Sequence, residues 1–148
     1  MNIEFINHLN YKSQEFNQTE VVDFLHTHLD DFRDAPAAIS KSMDYALSTE
    51  SGKGGFILVA REEQKIIGAL VMNSTGMHEF IPPNILVYIA VDAKIRGKGV
   101  GRQLINKALE SCKGSIALHV EYDNPAIHLY EKLGFSTKYA EMRLNREG

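Results

Sequence analysis

The chain has 148 residues, 44% hydrophobic and 24% charged, which is the composition of a globular protein long enough to bury a core as, most simply, one domain. Its net charge of −3 argues against a general binder of nucleic acid or anionic membrane, and a single cysteine, Cys112, excludes an intramolecular disulfide and a cysteine-based zinc cluster. The opening MNIEFINHLNYKSQEF has no basic start and no long apolar run, so neither a signal peptide nor a membrane span is expected, and the protein reads as cytoplasmic.

Ile3–Ile6 reads as a short first strand. Asn17-x-x-Glu20 resembles a capping box, and Val21, Val22, Leu25 and Leu29 follow it at helical spacing. A second helix is predicted over Pro36–Ser48, with Ile39, Met43, Ala46 and Leu47 on one face and Pro36 at its start. Two apolar runs, Phe56–Ala60 and Ile66–Met72, flank the polar REEQK and read as a hairpin. Asn73–Asn84 is a loop carrying Gly76 and Pro82-Pro83. Ile85–Val91 (ILVYIAV) is apolar almost throughout, as in a strand covered on both faces.

A helix is expected over Arg102–Cys112, with Leu104, Ile105, Ala108, Leu109 and Cys112 as its buried stripe and Lys113-Gly114 as its end. Cys112 then reads as a core thiol. Ser115–Glu121 is the next strand. Strand, crossover helix and strand form a βαβ unit, so these two strands should be parallel. Asn124-Pro125 opens a further helix, with Ala126, Leu129, Tyr130 and Leu133 as its apolar stripe and Gly134 as its stop. Phe135–Leu144 reads as a closing strand. The fold class is α/β, with a sheet antiparallel early and parallel in the middle.

Between the strand Ile85–Val91 and the helix after it lie Arg96, Gly97, Lys98, Gly99, Val100, Gly101 and Arg102. A turn after a central parallel strand is a ligand position in open α/β sheets. It leads here into a helix N-terminus, where free N–H groups and the dipole favour an anion. Glycines let the backbone approach closely, and three cations surround the same spot, so the turn has the make-up of a pyrophosphate cradle. The alternative is a glycine-rich turn with surface charges. A dinucleotide fingerprint fails, because Arg102 stands three residues after Gly99, and no Gly-Lys-Ser/Thr closes a Walker A loop.

Arg96-x-x-Gly99-x-Gly101 closely resembles the acyl-CoA pyrophosphate loop of the GCN5-related N-acetyltransferases. That family follows its second parallel strand with an Asn-x-x-Ala-x-x-x-Tyr helix ending in Gly-Phe. This chain has NPAIHLYEKLGF, containing Asn124, Ala126, Tyr130, Gly134 and Phe135, with the alanine one place early. Order and spacing agree across Phe56–Phe135. The resemblance implies a mixed central sheet flanked by helices, whose two parallel middle strands splay apart around the pantetheine arm of acetyl-CoA. It implies that backbone groups of Ile89 and Val91 hold the pantetheine, that the N–H groups of Gly97 through Arg102 hold the pyrophosphate, and that no metal is needed. Asn124 would both cap its helix and bond the cofactor arm; a plain N-cap role is sufficient on its own physics.

The implied reaction is direct transfer of an acetyl group from a thioester to an amine. Tyr130 would assist the leaving thiolate, the alternative being a core aromatic. Several family members carry a glutamate five residues before the Asn; here that position is His119, a base suited to neutral pH or a histidine packed under a helix. Glu121 is the fallback base, and His78 and Glu79 lie on the loop before the strand. Only 13 residues follow Phe135, so the two-strand hairpin that closes many members is very short or missing. A lone tail strand would expose an edge for a second copy, giving a homodimer. The expected partners are acetyl-CoA and an amine acceptor of unspecified kind, with neither nucleic acid nor membrane. A CoA-binding regulatory module without chemistry is the competing reading, and a Rossmann-type nucleotide domain is disfavoured by the failed fingerprint.

Overall fold

The computed structural model describes residues 1–148. In chain order the elements are β1 (Asn2–Ile6), α1 (Gln18–His28), α2 (Pro36–Ala46), β2 (Gly55–Glu62), β3 (Lys65–Ser74), β4 (Asn84–Val91), α3 (Val100–Ser111), β5 (Ile116–Leu118) and α4 (Ile127–Lys132), with short 3₁₀ turns at Asp30–Phe32 and Ala93–Ile95. The five strands lie side by side in sequence order. β1 to β4 pair antiparallel, and β4 with β5 is parallel, as the βαβ reading requires.

Alternation along the strands supplies both cores. Ile57, Val59, Ala69 and Val71 face α1 and α2, where they meet Val21, Leu25, Ile39 and Met43. Phe56, Leu58, Leu70 and Met72 face the other way, against Leu104, Ile105 and Ala108 of α3. Each fully buried Leu or Ile contributes roughly 1.5–3 kcal/mol by leaving water. α3 seats deeply because β3 has glycine beneath it: a Cβ on Gly68 would come within 2.9 Å of Leu104 Cδ1 and 3.1 Å of Val100 Cγ1. Leu109, expected on the buried stripe of α3, sits at its edge and is 46% exposed. At α1, Asn17 Oδ1 accepts from the Glu20 N–H at 3.1 Å, but the Glu20 carboxylate turns to Arg61 instead of closing the capping box.

Two outcomes at the C-terminal side bear on function. First, β4 and β5 pair only at Asn84–Ile116, Ile85–Ala117 and Leu86–Leu118, after which β5 ends and β4 runs on to Val91 alone. Second, the expected strand over Phe135–Leu144 does not form. Phe135 packs edge-on against Tyr130 at 5.9 Å, and beyond it the chain has no regular structure, with Tyr139, Met142 and Leu144 each at least 80% exposed. A strand needs a partner and a surface to cover, and this tail meets neither in its own chain. β5 is therefore the outer strand on this side, and the exposed edge expected of the tail belongs to β5 instead.

The closed end of the β4/β5 pair is held by Asn84. This residue is 6% exposed, and its Nδ2 donates to the Lys113 carbonyl at 2.7 Å and the Ser115 carbonyl at 3.3 Å. Asn84→Ala is expected to cost about 1–3 kcal/mol, because two carbonyls lose a buried donor. Asn84→Asp should cost more, since a carboxylate would face those carbonyls with nothing to donate. Thermal melts of the three proteins check the order; equal melting temperatures would mean that the loop holds itself.

Candidate acyl-CoA site

The site begins where β5 stops. The Asp92 N–H donates to the Ile67 carbonyl at 2.9 Å, so Asp92 bonds toward β3. Strand alternation then turns the backbone groups of Ile89 and Val91 to the side that β5 has left. Their side chains, with those of Ala126, Leu129 and Leu133, pack around the cluster that contains Val100 and Tyr130. The two residues expected to offer backbone groups thus lie on the open edge, beside both motifs.

Asp92 is buried and its Oδ1 accepts from the Lys94 N–H at 2.9 Å, which starts the turn. Gly97 has φ +83° and Gly99 φ +87°, and Gly99 is the N-cap of α3 without any side-chain cap. Left-handed backbone of this kind costs an ordinary residue roughly 1–2 kcal/mol, so both glycines answer to the chain's own geometry first. A Cβ on either would meet nothing within 4 Å. Gly101 is different: it is helical, and a Cβ there would lie 3.3 Å from Leu129 Cδ2 and 3.7 Å from Val91 Cγ2. Its small size lets α4 and β4 close on the start of α3.

None of the backbone N–H groups from Arg96 to Arg102 donates to another group of the chain. The first turn of any helix leaves such groups, but here the run extends back through Lys98, Gly97 and Arg96. Lys98 and Arg102 are exposed and form no ion pair, so their charge stays beside these N–H groups. The Arg96 side chain goes elsewhere. Its guanidinium bonds Asp30 Oδ2 at 2.9 Å and the His28 carbonyl at 2.5 Å, and its Nε reaches the Val91 carbonyl at 3.3 Å. His28 Nδ1 in turn accepts from the Ala93 N–H at 3.1 Å. The turn is thereby fastened to the end of α1, and Arg96 leaves its N–H free while its charge is shared with Asp30.

Asn124 Oδ1 accepts from the Ala126 N–H at 2.9 Å, but α4 begins only at Ile127 with Ala126 as its N-cap, so Asn124 shapes the turn before the helix and is not the cap expected of it; its Nδ2 donates to nothing in the chain. Tyr130 is 8% exposed and burial pushes its phenol up to about 12. The hydroxyl has no hydrogen-bond partner within the protein, so a core role accounts for the ring and leaves the O–H unexplained. His119 and Glu121 lie just past the last paired residue of β5, and both side chains are exposed. This removes the packed-histidine alternative. His78 and Glu79 lie exposed on the β3–β4 loop, Glu79 at φ +68°.

One polar pair beside the site was not anticipated. The Tyr88 hydroxyl donates to Asp34 Oδ2 at 2.5 Å, joining β4 to the α1–α2 connection. Tyr88 is the only polar side chain in the run ILVYIAV, which is the signal that marks it; nothing in the sequence names its partner 54 positions away.

The contrast among the glycines has a direct consequence. Gly99→Ala should destabilise the fold by about 1–2 kcal/mol, and Gly101→Ala should lie within about 1 kcal/mol of the parent, helix propensity offsetting the contact with Leu129. Urea unfolding of both variants measures this. A Gly101→Ala loss as large as that at Gly99 would contradict the assignment.

The family model for the acetyltransferase (GNAT) domain matches residues 53–137, more than half of the chain. Comparison with curated proteins gave no significant match. Among solved structures, the aminoglycoside N-acetyltransferase AAC(6')-Iy in complex with CoA superposes with a TM-score of 0.68 at 15% identity, over 99% of this chain and 95% of that one. The aminoglycoside acetyltransferase HMB0005 from an uncultured soil metagenomic sample gives 0.66 at 18%, over 99% and 98%. The ribosomal-protein-alanine N-acetyltransferase of Brucella melitensis biovar Abortus 2308 gives 0.63 at 16%, over the whole of both chains. At such identities the likeness is one of fold, and it agrees with the mixed sheet and its parallel β4–β5 pair. Together with the family match over the cradle and the α4 motif, it shows that the chain belongs to the GNAT acetyltransferases.

Proposed function

We propose that the chain is an acetyl-CoA-dependent N-acetyltransferase that transfers the acetyl group to a primary amine by direct attack on the thioester. The observation that carries this reading is the unbonded N–H run from Arg96 to Arg102 beside the open edge of β4. Pyrophosphate fits that run, helped by Lys98 and Arg102, and the amides of a pantetheine arm fit Ile89 and Val91. Because Arg96 Nε already uses the Val91 carbonyl, Val91 offers chiefly its N–H. The free Asn124 Nδ2 lies at the start of α4, where it can donate to the same arm. Bound acetyl-CoA supplies the acetyl group as an activated thioester.

The chain's residues then handle two protons. An alkylamine has a pKa of ~10.4, so at neutral pH only about one molecule in a few thousand is free to attack. His119, exposed just past β5, takes the amine proton in this reading, with Glu121 as the fallback. Tyr130 remains protonated far above neutral pH and so serves as a donor. With its phenol pushed up to about 12, full transfer to a thiolate of pKa ~8.5 is uphill. A hydrogen bond that strengthens as charge grows on sulfur needs no transfer and lowers the barrier selectively.

Release of CoA thiol from acetyl-CoA over a panel of amines tests the reading; CoA binding with no turnover on any amine would favour a regulatory module. Tyr130→Phe should keep acetyl-CoA affinity near the parent and lower kcat by roughly 10- to 10³-fold, the scale of one lost charge-stabilising donor. Its stability should also respond differently to alkali. The unfolded phenol ionises near ~10 and the folded one at about 12, so between these values the folded state holds the extra proton and the parent loses stability as pH rises. The Phe variant should lack this part of the loss. Unchanged turnover in Tyr130→Phe would reduce Tyr130 to packing.

His119→Ala is expected to lower kcat/KM by roughly 10²-fold and to remove the ascending limb of the pH profile. A variant that keeps that limb passes the role to Glu121 or to water.

A further inference from the structure

The connection between α1 and α2 is fastened along β4 at two points: Asp30 bonds Arg96 just past the end of the strand, and Asp34 bonds Tyr88 within it. Tyr88 lies on the stretch of β4 that β5 has left. Its side chain packs with the α1–α2 core, whereas Ile89 and Val91 pack with the cluster of α3 and Tyr130. Asp34 is therefore held on the opposite face of β4 from the cradle and from Tyr130. An acyl donor seated on the α3 side leaves this face for the acceptor.

The two carboxylates differ in their compensation. Asp30 is neutralised by Arg96 at 2.9 Å. Asp34 forms no ion pair with any Lys, Arg or His, and its Oδ1 accepts no hydrogen bond; the Tyr88 hydroxyl on Oδ2 is its only partner. Burial first, then the hydrogen bond to Asp34 and its charge, push the Tyr88 phenol above the usual tyrosine range, so the hydroxyl stays a donor and its bond orients the carboxylate. An oriented, uncompensated carboxylate on the face left to the acceptor suits a cation. It does not suit the amine that reacts, which it would hold protonated. It suits a second amine, which at pKa ~10 stays charged.

We propose, building on the acyl-transfer reading, that Asp34 is the specificity-determining residue for the acceptor. It pairs with a cationic group other than the amine that reacts, in an acceptor carrying at least two amines. Tyr88 is its positioning residue. Asp34 is exposed, so the pairing has the strength of a surface ion pair improved by a fixed geometry.

The test compares α,ω-diaminoalkanes of three to eight carbons with monoamines of equal length, titrated calorimetrically into the CoA-bound protein. At least one diamine should bind about 5-fold more tightly than its monoamine, an advantage that falls as salt is raised. Asp34→Asn should erase that advantage with CoA affinity unchanged, and Tyr88→Phe should reduce it in part. The assignment is overturned if the parent shows no diamine preference, if Asp34→Asn keeps it, or if Asp34→Asn weakens both amine classes equally. Thiol release with the same amines separates the two claims. A diamine that binds through Asp34 without releasing thiol from acetyl-CoA would sink the acyl-transfer reading and leave the Asp34 assignment standing.

Discussion

Backbone N–H and C=O groups on the last strand of a sheet must bond to something, and β4 offers such groups beyond Leu86 with no strand to take them. The arrangement persists because its closed end is strong and its open end is wet. Asn84 ties the two carbonyls before β5 to the start of β4, and α3 is locked over Gly68. The residues past Leu86 are mostly half-buried rather than sealed in, so water can serve their backbone groups until a ligand replaces it. A peptide-like arm with amides of its own is the natural replacement, since it restores the bonds a fifth strand would have made.

Charge is placed with the same economy. The chain is acidic overall, yet the start of α3 carries Lys98 and Arg102 without counter-ions. Arg96, which belongs to the same motif, is turned inward and spends its charge on Asp30 and its remaining donors on the carbonyls of His28 and Val91. That choice stiffens the turn and connects the cradle to the α1–α2 segment. The two proposed roles on opposite faces of β4 thus share one short piece of chain, residues 28–34.

Most of the fold was legible, because its signals are local. The Asn17 cap, the start of α2 at Pro36 and the β2–β3 hairpin all depend on residues within a few positions of each other, whereas Asn124-Pro125 marked the approach to α4 but not its first residue. The glycine turn and the helix of Tyr130 could be placed in the fold for the same reason, as motifs of fixed spacing. What stayed hidden is tertiary. The partners of Arg96 and Tyr88 stand 66 and 54 positions away, and no pattern within either segment names them. The tail was misread because Ala140, Met142 and Leu144 alternate as a strand should, yet alternation describes a surface and not a neighbour. His119 was ambiguous for a related cause: whether a histidine is covered depends on where the helix after it lands.

The three-pair attachment of β5 also shapes how the protein comes apart. β1 to β4 interlock through long antiparallel registers, and α1, α2 and α3 bury their stripes against them. The segment from β5 through α4 has three ladder pairs and a single buried side chain on α4, Tyr130. It is a weakly anchored segment, and it carries Tyr130. Few buried contacts hold it, which is the property that separates segments able to open locally from strands such as β2 and β3 that are buried along most of their length. A ligand spanning the gap adds its binding free energy to that local opening cost. A site that spans this gap would have one half on a rigid frame and the other half held in place by what it binds.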